Sequence, residues 1–321
     1  MNKRNLLPLI ALVSSILFYA SNANAQATAF QLERFDVMPN QHTNLLNTSK
    51  SDVMPHLTPS VGLFFHFQDD PLQISDGENT FRLVDERLVG ELSLALGLFD
   101  FADIGVVIPT VLYQTGESLN GTAFEGGVDG FSLSDIRVVP KVRFLDPEIA
   151  MGFGGAFMVP VYLPTGDAET FSTDDSVRVE PKLALDWRHS SGFLVATNFG
   201  FQFRKTQEAE NYTSGNEIRW NAGAEMPVFP DIVAGANIFG GYGMEDGRAP
   251  GDLGEVADNT KGRPIEAQGV LKFFLPSDLL LQVGGGAGLT DGVGTPDFRV
   301  FAGLEWMPVD SISHNKGIPA D

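Results

Sequence analysis

Cysteine is absent from all 321 residues. No disulfide framework, thiol nucleophile or thiolate metal site can be built without it. Apolar runs are short as well. After residue 25, no stretch approaches the ~20 apolar residues that a membrane-crossing helix needs. Positive charge is sparse: 21 Lys and Arg face 41 Asp and Glu, a formal net charge of −20. With no basic patch, nucleic acid is not expected as a partner. Histidine is limited to His42, His56, His66, His189 and His314. His189-Ser190-Ser191 falls in an expected short turn, with no acid to complete a Ser/His/acid array. Asp69-Asp70 and Asp174-Asp175 have no His on a neighbouring outer loop, and His66 reads as an inward polar residue. Gly240-Gly241-Tyr242-Gly243 precedes no helix, so it is no phosphate loop. Neither an enzyme, a metal site nor a cofactor is expected.

What is present begins with residues 1–25. They carry a basic start (Lys3, Arg4), a short apolar core from Leu6 to Leu17 and small residues at Ala23-Asn24-Ala25. That is the pattern of a secretory signal peptide. Removing its two bases and no acid takes the formal charge from −20 to −22.

The rest of the chain alternates. In Phe298 to Trp306 the even positions are Phe298, Val300, Ala302, Leu304 and Trp306, and the odd ones include Arg299 and Glu305. Successive strand side chains point to opposite faces, so one face is apolar and the other charged. About twelve such segments follow one another, most near the 9 to 11 residues that cross a bilayer at a tilt. Their connections alternate in length. Short ones fall at Phe99-Asp100-Phe101, Asp146-Pro147-Glu148, His189 to Gly192, Pro227 to Asp231 and Pro276-Ser277-Asp278. Long ones fall near 69–79, 115–131, 164–176, 205–216, 243–263 and 290–296. Sorted loops and alternating strands predict an all-β fold: a transmembrane antiparallel up-and-down β-barrel of about twelve strands in a bacterial outer membrane. The expected layout is a signal peptide at 1–25, a periplasmic or plug segment at 26–56, the barrel at 57–308 and a tail at 309–321. Both termini are expected on the periplasmic side. Within residues 26–56, Phe30, Leu32, Phe35 and two Met-Pro pairs favour a packed role. The barrel should be a monomer among outer-membrane lipid and lipopolysaccharide.

The charges share one strand phase. The bases there are Arg87, Arg137, Lys141, Arg143, Arg178, Lys182, Arg188, Arg204, Arg219, Lys272 and Arg299. The acids are Glu91, Asp135, Glu180, Asp186, Glu217, Glu225, Glu266 and Glu305. A Lys or Arg on the lipid face near the bilayer midplane costs about 2 to 4 kcal/mol, so this phase is expected to line the lumen. Two readings stay open: the ions pair and close the lumen, or they line a pore for a small solute. Gly284, Gly286 and Gly288 on that phase either clear space or pack under inward rings, with packing favoured. The long loops hold the surplus acid. None has EF-hand spacing, so solvated loops are expected rather than Ca²⁺ sites.

Three stretches carry a family likeness: Phe30-Gln31-Leu32-Glu33-Arg34-Phe35-Asp36, Val84 to Asp100 (VDERLVGELSLALGLFD), and Gly294 to Leu304 (GTPDFRVFAGL). They resemble the barrel part of OmpA-family proteins from myxobacteria and related lineages. They are also similar to outer-membrane transporters grouped under the phenol-degradation MetA-pathway name. The resemblance implies an outer-membrane barrel serving envelope integrity or small-molecule passage. After Pro308 only thirteen residues remain, too few for the peptidoglycan-binding domain of OmpA-type members. Passive transport of a small solute is therefore the expectation, with a closed-lumen envelope protein as the alternative.

Overall fold

The computed structural model describes residues 30–75, 80–117, 128, 130–209, 212–244 and 262–308. The expected signal peptide at 1–25 and the expected tail at 309–321 fall outside them. No helix occurs among the described residues. Twelve strands form the wall. They are β1 (Pro59–Ser75), β2 (Thr80–Leu98), β3 (Ala102–Thr115), β4 (Ile136–Leu145), and β5 (Phe153–Met158 continuing in Val161–Leu163). Next come β6 (Arg178–Val179 continuing in Lys182–Arg188), β7 (Leu194–Gln202), β8 (Glu217–Phe229) and β9 (Ile232–Gly243). The last are β10 (Ile265–Leu275), β11 (Leu279–Gly288) and β12 (Phe298–Trp306).

Each strand pairs antiparallel with its chain neighbour, and β12 pairs with β1 from Phe298↔Asp69 to Trp306↔Val61. The sheet is thereby a closed barrel without an edge. The breaks in β5 and β6 fall at Pro160 and Pro181, because proline has no N–H to give the ladder. The chain still pairs across them, with Glu180 N–H donating to Pro160 O at 2.9 Å and Phe201 N–H to Pro181 O at 3.2 Å.

Burial runs opposite to that of a soluble β-protein. In β12, residues alternate strictly between exposed and buried, with Arg299 fully buried and Trp306 41% exposed. Leu63, Phe65, Leu94, Leu183, Phe199 and Leu271 are likewise exposed while Arg87, Lys141 and Lys272 are buried. An apolar outside around a charged inside is the pattern of a lipid-embedded barrel.

Five tight turns gather at one end of the barrel, the short-turn end. Phe99 and Asp100, and Ser277 and Asp278, hold left-handed backbone there, with φ of 58°, 61°, 67° and 62°. At the opposite, long-loop end the first connection is shorter than the sequence implies. β1 and β2 keep pairing as far as Ser75↔Thr80 across a bulge near Asp69, so that hairpin projects as strand instead of loop.

Residues 30–57 run inside the barrel. They hydrogen-bond to inward side chains of β1, β4, β7, β8, β9, β10 and β12, which surround the lumen. Only a segment within the ring can reach all of these walls. It starts at the long-loop end, where Leu32 N–H donates to Phe171 O at 3.0 Å. It leaves at the short-turn end, where Leu57 N–H meets Gly97 O at 2.9 Å and His56 N–H meets Asp100 Oδ1 at 2.8 Å. Phe30 thus lies at the end away from the short turns, and the residues before it, on which the expected periplasmic N-terminus falls, lie outside the described residues. A small hairpin, Asn44–Leu45 against Thr48–Ser49, turns the segment in mid-lumen.

Candidate functional site

The lumen is the candidate site, and its charges are supplied by alternate residues of the wall strands. Seventeen of the nineteen charged residues expected to line it are buried, namely Arg87, Glu91, Asp135, Arg137, Lys141, Arg178, Glu180, Lys182, Asp186, Arg204, Glu217, Arg219, Glu225, Glu266, Lys272, Arg299 and Glu305. Arg143 and Arg188 are half-buried towards the short-turn end. There Arg143 pairs with Asp146 at 2.9 Å, and Arg188 with Asp52 at 2.8 Å and Asp186 at 3.0 Å.

Near the long-loop end, Arg299 is the hub. Its guanidinium donates to Glu266 at 2.8 Å and Glu33 at 3.2 Å, and sits 4.9 Å from the centre of the Phe35 ring. It also donates to His66 Nδ1 at 2.7 Å. That bond places the imidazole proton on Nε2, which points between Glu33 and Glu91 at 3.8 and 3.9 Å. Arg87 reaches Gln114 at 2.7 Å and Thr170 O and Ser172 Oγ at 3.1 Å, so it draws the loop between β5 and β6 inward. Asp174 of that loop pairs with Arg204 and Arg178 and accepts Gln31 N–H at 2.7 Å. Burial alone would raise the Asp174 carboxyl; the two guanidiniums and the amide hold it below the usual carboxylate range. Asp135 completes the group by pairing with Arg178 at 3.1 Å.

At mid-depth Asp36 of the inner segment is gripped by Arg137, by Arg219 at 2.7 Å and by the Tyr162 hydroxyl at 2.9 Å. Tyr162 and Arg219 share Glu180 at 2.9 and 3.3 Å, and Lys182 neutralises it at 2.7 Å. Arg34 pairs with Glu217 at 2.5 Å. Deeper still, Lys50 and Lys272 converge on Glu225 at 2.5 and 3.3 Å, and Lys272 also donates to Asn44 O at 2.5 Å. Lys141 lies between Asn44 Oδ1 and Asp103 at 3.3 and 3.6 Å. Glu305 accepts Gln41 N–H at 2.6 Å and faces His42 at 2.7 Å.

The wall charges therefore grip an inner strand of chain. Glu33, Arg34, Asp36, Lys50 and Asp52 belong to that machinery and carry no periodicity that would reveal it. Asp174, expected in a solvated loop, is fully buried; its pairing with two arginines offsets the cost of desolvation. The three glycines of β11 sit under neighbours. A Cβ on Gly284 would stand 2.5 Å from the Phe301 ring and 2.2 Å from Gly269 O. The His189 ring meets Ser191 Oγ at 2.9 Å in an exposed turn. At the long-loop rim, Asp69, Asp70 and Asp297 bring carboxylate oxygens within 4.8 Å of one another, beside Arg82 at 3.2 Å from Asp70.

Two apolar groups frame the lumen. Phe30, Leu32, Leu72, Leu83, Val84, Val128, Phe171 and Val293 cap its long-loop end. Phe35, Phe64, Phe239 and Phe301 pack in its upper middle. Between segment and wall remain three cavities of about 10 Å³ each, room for one water apiece.

A family model described as "Putative MetA-pathway of phenol degradation" matches residues 67–296. The fold is similar to that of an outer-membrane channel from Pseudomonas putida F1, with 13% identity, 80% of this chain and 97% of that one covered, and a TM-score of 0.62. Lower likenesses reach the NanC porin (11% identity, 78% and 98% covered, TM-score 0.49) and the KdgM porin (9%, 77% and 98%, 0.47). At these identities the first shows a shared fold and the other two carry no argument. No curated protein matches the chain.

Proposed function

Since the chain belongs to the MetA-pathway phenol-degradation family, we propose that it is a passive outer-membrane channel for small solutes. The observation that carries this reading is the bore. Twelve strands close a ring wide enough to enclose a whole segment of chain, residues 30–57. A barrel serving only as a scaffold could be smaller and fill its interior with wall side chains alone. The family description points to small aromatic alcohols or their breakdown products as the solute class. The charged phase of the strands serves as the lumen lining, and the apolar outside sits in lipid beneath lipopolysaccharide, as a monomer with no catalytic role. The resemblance of Phe30 to Asp36, Val84 to Asp100 and Gly294 to Leu304 to OmpA-family barrels belongs to the same reading, as a shared way of building the wall.

Planar-bilayer recording on the detergent-purified protein tests it. Discrete conductance steps are expected; a folded protein that inserts and stays silent overturns the channel reading. Separation of outer from inner membranes should place the protein in the outer fraction.

A further inference from the structure

The three water-sized cavities differ in their lining. Each is lined by a residue with a buried polar atom that has no partner: Thr295 Oγ1 at the first, Gln31 Oε1 at the second and Gln282 Oε1 at the third. Buried atoms of this kind are normally satisfied by an ordered water or an ion. Arginines line the first two cavities, Arg34 and Arg219 in one, Arg87, Arg137 and Arg178 in the other. The third has no Lys, Arg or His among its described lining residues. Its polar side chains are Glu91, Glu305, Gln282, Ser93 and Gln41.

Strand register builds this third hollow. Ser93, Gly62 and Glu305 stand abreast on β2, β1 and β12, and Glu91, Phe64, Gly303 and Gln282 stand abreast in the next inward row, which continues onto β11. Gly62 leaves the gap: a Cβ there would stand 2.6 Å from Ser93 Oγ and 3.6 Å from Glu305 Cγ. The charges around it are uneven. Glu91 Oε2 accepts from Arg137 Nη2 at 2.9 Å. Glu305 accepts from Gln41 N–H at 2.6 Å and Ser60 Oγ at 3.1 Å and faces His42 at 2.7 Å, with no Lys or Arg at ion-pair distance among the described residues. A buried carboxylate without a fixed counter-charge is costly.

We infer that the third cavity binds a monovalent metal cation, sodium or potassium. Such an ion needs no more room than the water it replaces, and hard cations take the oxygen ligands that Glu91, Glu305, Gln282 and Ser93 offer. One positive charge balances the one carboxylate that lacks a fixed partner, whereas a divalent ion would leave an excess. The ion ties four wall strands, β11, β12, β1 and β2, to the inner segment across the closing seam. The inference stands whether or not the barrel conducts.

Thermal unfolding of the detergent-purified protein tests it. The midpoint should be a few degrees higher in NaCl or KCl than in choline chloride of equal ionic strength, whose cation is too large for the cavity, and the rise should saturate with concentration. The salt giving the larger rise identifies the ion. Gln282→Met keeps the side-chain length but removes Oε1, and Gly62→Ala fills the hollow; in both, metal chloride and choline chloride should give the same midpoint. Thr295→Val, which removes the unpartnered hydroxyl at the first cavity, should keep the parent's difference. Each variant is compared with itself in the different salts, so a lower overall stability does not obscure the result. Equal midpoints for the parent in all three salts overturn the site. So does a difference that survives both Gln282→Met and Gly62→Ala, or one that is lost in Thr295→Val as well.

Discussion

Arg299 of the closing strand and Glu33 of the inner segment meet at 3.2 Å inside the barrel, both buried from solvent. The same guanidinium binds Glu266 and His66, so one side chain ties β12 to β10, to β1 and to the lumen segment. Replacing Arg299 by Ala leaves two carboxylates buried without a counter-ion. Breaking such a pair typically costs about 3–5 kcal/mol. Urea unfolding in micelles should show this loss, while Arg143→Ala, at a half-buried site near the short turns, should stay within about 1 kcal/mol of the parent.

Deleting residues 30–52 should widen the lumen, because the segment fills mid-depth and the wall alone closes the ring. A larger unit conductance is expected in bilayers, together with a lower midpoint of thermal unfolding, since the wall charges lose their partners. An unchanged conductance would mean that the segment does not lie on the route.

Acid should loosen the loop between β5 and β6 before it affects the barrel. The Asp174 carboxyl is held below its ordinary value by Arg204 and Arg178. A depressed folded value means that its stabilising contribution is full above the unfolded carboxyl's pKa of about 3.9 and fades as pH falls through the lower, folded one. Hydrogen exchange of residues 164–177 should therefore accelerate below about pH 4. In Asp174→Asn the exchange should be faster at neutral pH and lose much of this acid dependence.

Gly284→Val tests the packing of β11. Any Cβ there meets the Phe301 ring and the Gly269 carbonyl at under 3.0 Å. Overpacking of this kind costs about 1–3 kcal/mol, with the larger share when backbone must move. Gly269→Ala, where no atom lies within 4 Å of the new Cβ, is the control and should be tolerated.

The wall was legible in the sequence because strand phase is a local property. Phe298 to Trp306 alternate in residue type, and burial alternates on the same residues. Depth was not legible. Arg143 and Arg188 share the inward phase with Arg137 and Arg178 but stand near the short turns, where solvent reaches them. The inner segment was legible only as an aperiodic stretch with buried-type residues. Its course is set by partners such as Glu217, Asn237 and Glu305, which lie more than 180 residues away. Asp174 was misread for the same reason: nothing near it in sequence announces that Arg204 and Gln31 await it across the lumen.

A thread held inside a ring constrains the order in which the two are made. The ring here is shut by its first and last strands, β1 and β12, and the thread leads directly into β1. If the ring closed first, residues 30–57 would have to be fed through a bore lined with unpaired charge, and Phe30 and Leu32 would have to cross it before reaching their apolar cap. If the thread is laid down first, the strands can assemble around it like staves around a mandrel, each bringing its inward charge to a waiting partner. The last joint, β12 onto β1, then places Arg299 against Glu33 and locks the mandrel in.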